Sequence, residues 1–442
     1  MGRYQGLIGV VVLLGIAWLL SNNRQRINLR IVAWGLGLQI VFALLILRSP
    51  LGYPAFDLMD RGVARLLSFS DQGAQFLFRP LNPQYVVDYD KLPPEGDVAA
   101  GSQSDPPPER LRLRAVKSDA IAPMVQTLAF AVLPTVIFFA ALMSVLYHLG
   151  VMQVVVRSLA WVMCKTMGTS GAETLSVAAD IFVGQTEAPL FVRPFLAGMT
   201  RSELMTVMCG GFATIAGGVM AIYVGVLHEY LPNIAGHLMA ASVMGAPAAI
   251  VIAKIMHPET ETSQTAGGAA IQMERRSRNL LEAVGNGATD GLKLALNIAA
   301  MLIAIVALVA LVNFLLSLVG TSLQAILAVG FRPIAWCIGV PWDEAGAVGT
   351  LLGEKIVLTE LIAYLNLSEL MSKHALSERS AVIASYALCG FANFASIGVQ
   401  IGGIDALAPE RKGDASEIAL RAMIGGALAT CLIGAIAGIV MK

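Results

Sequence analysis

Three carboxylates stand in stretches otherwise made of apolar residues: Asp180, Glu187 and Glu360. Two of them follow a threonine, as Thr186-Glu187 and Thr359-Glu360, each in an apolar segment interrupted by Pro or Gly. A carboxylate at the centre of a bilayer costs roughly 2.5–3.5 kcal/mol even on the lenient insertion scale, so these acids need a reason. One is packing alone, with each acid paired to a neighbour such as Arg193 or Lys355. The other is a pathway for a polar solute or an ion, which three acids beside broken helices favour. Unwound backbone also frees carbonyl oxygens, hard ligands suited to a cation such as Na⁺. Asn393 and Ser396 are three residues apart, which on a helix is one face, and could hydrogen-bond hydroxyl groups. The same residue types also bond helix to helix in membranes.

The medium around these residues follows from composition. Of 442 residues, 56% are hydrophobic and 14% charged, against roughly 25% charged in a soluble domain. Such a chain cannot cover a water-facing surface, nor is it disordered, which takes low hydrophobicity and high charge. It is an all-α polytopic membrane protein. Lys+Arg and Asp+Glu are both 30, so there is no basic excess for nucleic acid. The five cysteines show no CxxC spacing and read as buried thiols. An intramembrane enzyme using Glu187 and Glu360 as acid and base is disfavoured. HExxH and GxSxG are absent, and the five histidines are scattered.

A spanning helix needs about 20 apolar residues. Stretches of that kind near 5–21, 31–47, 120–147, 204–228, 232–254, 295–318, 381–400 and 418–441 give eight spans. The first lacks a basic lead and a small-residue cleavage site, so it reads as a span and not a removable signal. Three further stretches, 151–167, 174–198 and 340–365, are interrupted, the second by Pro189 and Pro194, the third by Pro341, Gly349 and Gly353. These read as re-entrant hairpins or interfacial helices, with kinked full spans as the alternative. The chain then divides into a two-span region (1–78), a Pro-rich extramembrane loop (79–118), a first half with hairpin and broken helix (119–255), a connector with an amphipathic helix (256–290) and a second half (291–442). Arg24, Arg26 and Arg30 place the loop between the first two spans in the cytoplasm, and the connector with Arg275, Arg276 and Arg278 falls on the same side.

The halves echo each other. Gly211-Phe212-Ala213-Thr214-Ile215-Ala216-Gly217 in the first matches Gly390-Phe391-Ala392-Asn393-Phe394-Ala395-Ser396 in the second, each downstream of its Thr-Glu pair. With eight spans the halves cross in opposite directions. Inverted repeats with discontinuous helices mark secondary transporters, whose site lies at the repeat interface near midplane.

At Gly184-Gln185-Thr186-Glu187-Ala188-Pro189-Leu190, followed by Val192-Arg193-Pro194-Phe195-Leu196, the chain resembles the concentrative nucleoside transporters. Gly245-Ala246-Pro247-Ala248-Ala249 with Lys254, Gly353-Glu354-Lys355 leading to Glu360-Leu361-Ile362-Ala363-Tyr364, and the run from Ala387 to Arg411 agree, so the resemblance covers roughly 120–442. It implies a homotrimer in the inner membrane with eight core spans, two opposed re-entrant hairpins, a rigid scaffold and a moving transport domain. It implies import of nucleosides with a cation. Positions matching Gln185, Thr186 and Glu187 hold the nucleobase, those matching Glu360, Asn393 and Ser396 hold the ribose, and those matching Val219 and Phe391 pack against base and sugar.

The family's sodium site matches Asp180, Val183, Thr214 and Ile215, with Val183 and Ile215 giving carbonyls only. The chain departs from the family's usual Asn at Asp180 and at Thr359. An Asp there adds charge to a sodium site or carries a proton itself, since desolvation penalises the charged form, and some bacterial relatives are proton-coupled. The coupling ion is therefore Na⁺ or H⁺, no other cofactor is implied, and a related polar metabolite is the alternative cargo.

Overall fold

The computed structural model describes residues 2–48, 61–63, 65–70, 72–74, 85–91, 111–117, 133–231, 233–266 and 277–441. Among the described residues the chain is helical apart from one antiparallel pair, β1 (Tyr85–Lys91) and β2 (Leu111–Lys117), in register Tyr85 to Lys117. This pair lies within the 79–118 segment that composition reads as a flexible loop; the remainder of that segment, like Arg275 and Arg276, lies outside the described residues.

Two helices open the chain, α1 (Gly2–Leu19) and α2 (Leu29–Leu47). The arginines between them meet helix carbonyls: Arg24 donates to Trp18 and Leu19, and Arg30 to Lys165 and Thr166. Cations at helix C-termini are favourable there. Helices α3 (Leu133–His148) and α4 (Val151–Met167) follow, bent by 78° to each other. The stretch 151–167 is thus one unbroken helix. Its buried residues, Met152, Val156, Ala160, Met163 and Met167, recur every three or four positions, the pattern of a helix with one apolar face.

The first hairpin descends as α5 (Gly171–Asp180), turns at 181–187 and returns as a 3₁₀ turn (Ala188–Val192) and α6 (Arg193–Leu196), with Pro189 and Pro194 at its starts. Next come α7 (Arg201–Ala213) and α8 (Gly217–Leu227), separated by an unwound break, and α9 (Ile234–Met256). The second half contains α10 (Leu280–Ser317), α11 (Leu323–Cys337), α12 (Ala345–Val357) and α13 (Glu360–Ser372). It ends with α14 (Glu378–Leu388), α15 (Phe394–Leu407) and α16 (Lys412–Val440). Helix α10 has 38 residues, about 57 Å at 1.5 Å each. It runs unbroken through the expected connector boundary at 290.

One sequence expectation changes. Gly349 and Gly353 do not interrupt their segment; both lie inside α12, and the break falls at Leu358-Thr359. The two glycines are there for contact, because a Cβ would come within 2.8 Å of the Arg332 backbone nitrogen and 2.7 Å of Leu327 Cβ in α11. Among the described residues, five stretches are long and apolar enough to cross a bilayer, counting α7–α8 as one, or six with bent α3–α4; α1, at the expected first span, is shorter. The 381–400 stretch falls short because its helix breaks at 389–393, and residues 120–132 lie outside the described ones. Helices α7, α9, α14 and α16 form the core, whereas α10 exposes its apolar length, including Ile303, Leu308 and Phe314.

At one end of this core sits a buried ion cluster. Lys254 Nζ lies 2.8 Å from Glu173 Oε2 and 3.2 Å from Glu259 Oε2, and donates to Ser202 Oγ at 3.0 Å. Glu173 and Glu203 complete capping boxes with Ser170 and Thr200 at the starts of α5 and α7. Ser263 donates to Glu203, and Thr265 accepts from the Gly171 and Ala172 N–H groups, so the segment after α9 ties both helix starts together. Removing one partner of such a buried pair costs about 3–5 kcal/mol. Lys254→Met is therefore expected to lower the thermal stability of the detergent-solubilised protein markedly. Adding Glu173→Gln should restore part of it; a single variant as stable as wild type would show that the pair does not hold this end.

Candidate functional site

The site forms where two helix breaks and two hairpin turns meet. At the second hairpin, Thr359 caps α13 by accepting from the Ile362 N–H, which leaves Glu360 in the first turn. An acid there faces the positive end of the helix dipole. Glu360 is 5% exposed. Its two oxygens have separate donors: Tyr223 Oη at 2.9 Å from α8, and Asn393 Nδ2 at 2.8 Å from the second break. Asn393 is itself the N-cap of α15, its Oδ1 accepting from the Ser396 N–H at 2.8 Å. The three-residue spacing of Asn393 and Ser396 is thus a cap and its partner, not two positions on one helical face. Asn393 donates from its backbone to the Phe391 carbonyl at 2.9 Å. Val219 is buried one turn before Tyr223, on the same side of α8.

Sequence reasoning passed over Tyr223 as part of an apolar helix. Its ring stacks on Tyr364 with centroids 4.3 Å apart, and the Tyr364 hydroxyl donates to the Ser385 carbonyl at 2.7 Å. Among the described residues Lys355 forms no ion pair with an acid. Its Nζ donates to the Ala387 carbonyl at 2.9 Å and Thr430 Oγ1 at 2.7 Å. Ala387 is in the last turn of α14, so this ammonium serves a helix end that would otherwise terminate in apolar surroundings.

Gln185, Thr186 and Glu187 form the half-buried turn of the first hairpin. Glu187 Oε2 accepts from the Gly184 N–H at 2.7 Å, which closes the turn. The turn is fixed from two sides, because the Phe182 carbonyl accepts from Gly217 and the Ile181 carbonyl from Ser242 of α9. Gln185 meets a residue the sequence did not single out, Gln400 of α15, whose Nε2 donates to Gln185 Oε1 at 3.0 Å. The available signal was a lone amide in an apolar helix, a rare and costly placement in lipid.

Asp180 ends α5 and is 1% exposed. Neither of its oxygens has a hydrogen-bond partner among the described residues. It lies against Gly210 of α7, where a Cβ would be 3.1 Å from Asp180 Oδ2. One turn on, Thr214 Oγ1 donates to the Gly210 carbonyl at 2.9 Å, so the hydroxyl oxygen remains an acceptor. Val183 and Ile215 lie in the two non-helical stretches joined by the bond from Gly217 to Phe182. A buried carboxylate without a donor, next to unwound backbone, fits a cation of hard-oxygen preference. The breaks themselves touch: a Cβ at Gly390, whose φ is +156°, would sit 2.6 Å from the Phe212 carbonyl.

Comparison with known proteins agrees with this architecture. Profiles described as the C-terminus and the N-terminus of Na⁺ dependent nucleoside transporters match residues 237–438 and 8–81, and one described as nucleoside recognition matches 129–230. The chain is 40% identical over 450 residues to an uncharacterized transporter of Haemophilus influenzae, covering 99% of this chain and 98% of that one. It is 38% identical over 452 residues to sodium/nucleoside cotransporter 1 of Rattus norvegicus, covering 98% of this chain but 63% of the longer rat protein. Against solute carrier family 28 member 3 of Mus musculus it is 39% identical and spans 58% of that length. The fold matches CNTnw in an inward-facing substrate-bound state with TM-score 0.84 and 36% identity, covering 100% of this chain and 98% of that one. A doubly substituted CNTnw in an outward-facing state matches with TM-score 0.85.

The fold and profiles define a membrane transporter of the nucleoside class. The chain belongs to the concentrative nucleoside transporter family, as a bacterial member.

The two tyrosines separate a site role from a packing role. A hydrogen bond to a charged group contributes roughly 1.5–3 kcal/mol, so Tyr223→Phe is expected to weaken nucleoside affinity about ten- to a hundredfold. Tyr364→Phe, whose hydroxyl does not touch Glu360, should stay within about twofold by the same scale. Equal effects of the two, measured as KM for uptake, would exclude a special role for the Tyr223 hydroxyl.

Proposed function

We propose that the protein imports nucleosides across the inner membrane, coupled to Na⁺, by an elevator form of alternating access in a homotrimer. Eight spans and two opposed re-entrant hairpins carry this mechanism, with α5 to α6 as the first hairpin and α12 to α13 as the second. Glu360, Asn393 and Ser396 take the ribose, with Phe391 beside it. Gln185, Thr186 and Glu187 take the base, with Val219 beneath it. Asp180, the Thr214 hydroxyl and the Val183 and Ile215 carbonyls take the sodium ion. The long exposed face of α10 is the surface left for lipid and for neighbouring protomers.

The observation that carries this reading is the contrast between two buried acids. Glu360 has donors on both oxygens, Tyr223 and Asn393; Asp180 has none among the described residues. An acid held by neutral donors is a ready acceptor for sugar hydroxyls. An acid without donors needs a cation. The similarity to Na⁺ dependent nucleoside transporters and to a sodium/nucleoside cotransporter supports nucleoside and sodium together.

One cation falling through 100 mV supplies about 2.3 kcal/mol, and a tenfold gradient adds about 1.4 kcal/mol. Together they sustain accumulation of several hundredfold, and the solute emerges chemically unchanged, as expected of a transporter and not an enzyme. Asp180 also supports a second reading, in which it carries a proton and the coupling ion is H⁺.

Labelled uridine uptake into proteoliposomes separates the two. An inward Na⁺ gradient is expected to drive it, and Asp180→Asn should weaken the apparent Na⁺ affinity while keeping Na⁺ dependence. Uptake driven by an inward proton gradient alone, and lost in Asp180→Asn, would replace sodium by proton coupling. Glu360→Gln and Asn393→Ala are each expected to abolish uptake while trimers still form; near-normal uptake in both would remove the ribose assignment.

A further inference from the structure

We infer that Gln400 is a specificity-determining residue, which locks the amide of Gln185 so that only its NH₂ group faces the bound nucleobase. This rests on the proposed role of Gln185 as a base contact. Gln400 itself belongs to none of the residues assigned to the cargo or the ion.

Gln400 is 3% exposed. Its Nε2 donates to the Met208 carbonyl at 3.0 Å and to Gln185 Oε1 at 3.0 Å. A backbone carbonyl can only accept, so Met208 dictates which end of the Gln400 amide is the nitrogen. Both N–H groups of that nitrogen are then committed, one to Met208 and one to Gln185. Gln185 can meet the second only with its oxygen. A reversed Gln185 would set NH₂ against NH₂. One backbone acceptor in α7 thereby orients two amides in succession, the second belonging to the turn of the first hairpin.

The pocket is shaped for this pair. A Cβ at Gly211 would lie 2.5 Å from Gln400 Nε2 and 2.8 Å from Gln185 Cβ. Any side chain there would occupy the space in which the amides meet. One turn from Gln400 along α15, a Cβ at Gly403 would touch Thr186 at 3.5 Å, so the helix runs alongside the turn. Gln400 Oε1 is buried and has no hydrogen-bond partner among the described residues. With its oxygen committed to Gln400, Gln185 keeps only its NH₂ group for a further partner, and Gln400 Oε1 stays unused.

A free glutamine matches donors and acceptors alike, because rotating its amide exchanges them. The locked one does not. The bases it takes must turn an acceptor, a ring nitrogen or a carbonyl, toward Gln185. Selection at this point is by loss of a partner for a buried polar group, the kind of discrimination that reaches large ratios.

The test is a cycle of protein and substrate changes in proteoliposomes. The probes are uridine with its analogues lacking the 2- or the 4-carbonyl, and adenosine with its 1-deaza analogue. In the wild type, one of these removals is expected to raise KM about tenfold or more. In Gln400→Met, the parent nucleoside's KM rises while kcat stays within about twofold, and the same removal costs less than about threefold, the non-additivity of coupled groups. An equal penalty in both proteins, or an unchanged parent KM in Gln400→Met, overturns the lock. So does a wild type in which no removal matters, a result that needs no variant. Uptake of none of these nucleosides by the wild type overturns the nucleoside reading itself, and the lock with it.

Discussion

A helix that stops inside an apolar medium leaves the last carbonyls or first N–H groups of its backbone without partners. Much of the centre of this protein answers that constraint. α5, α7 and α14 end among buried residues, and α13 begins there. The start of α15 is met by Asn393, which caps it and in the same act orients its amide nitrogen toward Glu360. The start of α13 is met by Thr359, which sets Glu360 in the first turn. The end of α14 is met by the Lys355 ammonium. Groups that satisfy backbone thereby become groups that position a carboxylate.

The same constraint explains why the two halves must touch. A broken helix alone cannot satisfy its own gap. Here the gap after Phe212 lies against Gly390 at the start of the other gap, close enough that a Cβ would not fit. Glu360 of the second hairpin is held by Tyr223 beyond the first gap and by Asn393 within the second. Gln185 of the first hairpin is held by Gln400 beyond the second gap. Each hairpin turn is thus fixed by the broken helix of the opposite half. Displacing one half against the other would break the Tyr223–Glu360 and Gln185–Gln400 bonds, which cross between them.

The acids, the broken helices and the paired motifs were legible because each violates a rule of the medium: charge in lipid, glycine in a helix, a Thr-Glu repeated at matching places. Tyr223 was not, because a tyrosine in an apolar run violates little, and the lone amide of Gln400, though costly in lipid, stands outside the paired motifs. Their importance lies in contacts across 137 and 215 residues of sequence. Gly349 and Gly353 misled for a related reason. A glycine that opens a helix and a glycine that lets a neighbouring helix approach look alike until the neighbour, α11, is in place. The boundary at 290 was drawn where hydrophobicity rises, whereas α10 begins at a cap, Asn279 accepting from Glu282, ten residues earlier.

The proposed coupling of ion to cargo follows from the order of residues along the first hairpin. Asp180 ends α5, and Gln185, Thr186 and Glu187 follow within one tight turn held at several points: the Phe182 carbonyl by the Gly217 N–H, the Ile181 carbonyl by the Ser242 hydroxyl, and the Gly184 N–H by the Glu187 carboxylate. Asp180 without a cation sets an uncompensated charge at the root of that turn, near Glu187, a second acid. On the proposed reading, a cation bound there would offset part of that charge and be shared with carbonyls of the segments 181–183 and 214–216. The side chains proposed to meet the base, a few residues on, would be ordered with it. In energetic terms the ion and the nucleoside share the cost of ordering one turn, so each raises the affinity for the other by the same factor, commonly worth about 1–3 kcal/mol. A symporter needs that reciprocity, and here the eight residues from Asp180 to Glu187 form a stretch short enough to supply it without any long-range pathway.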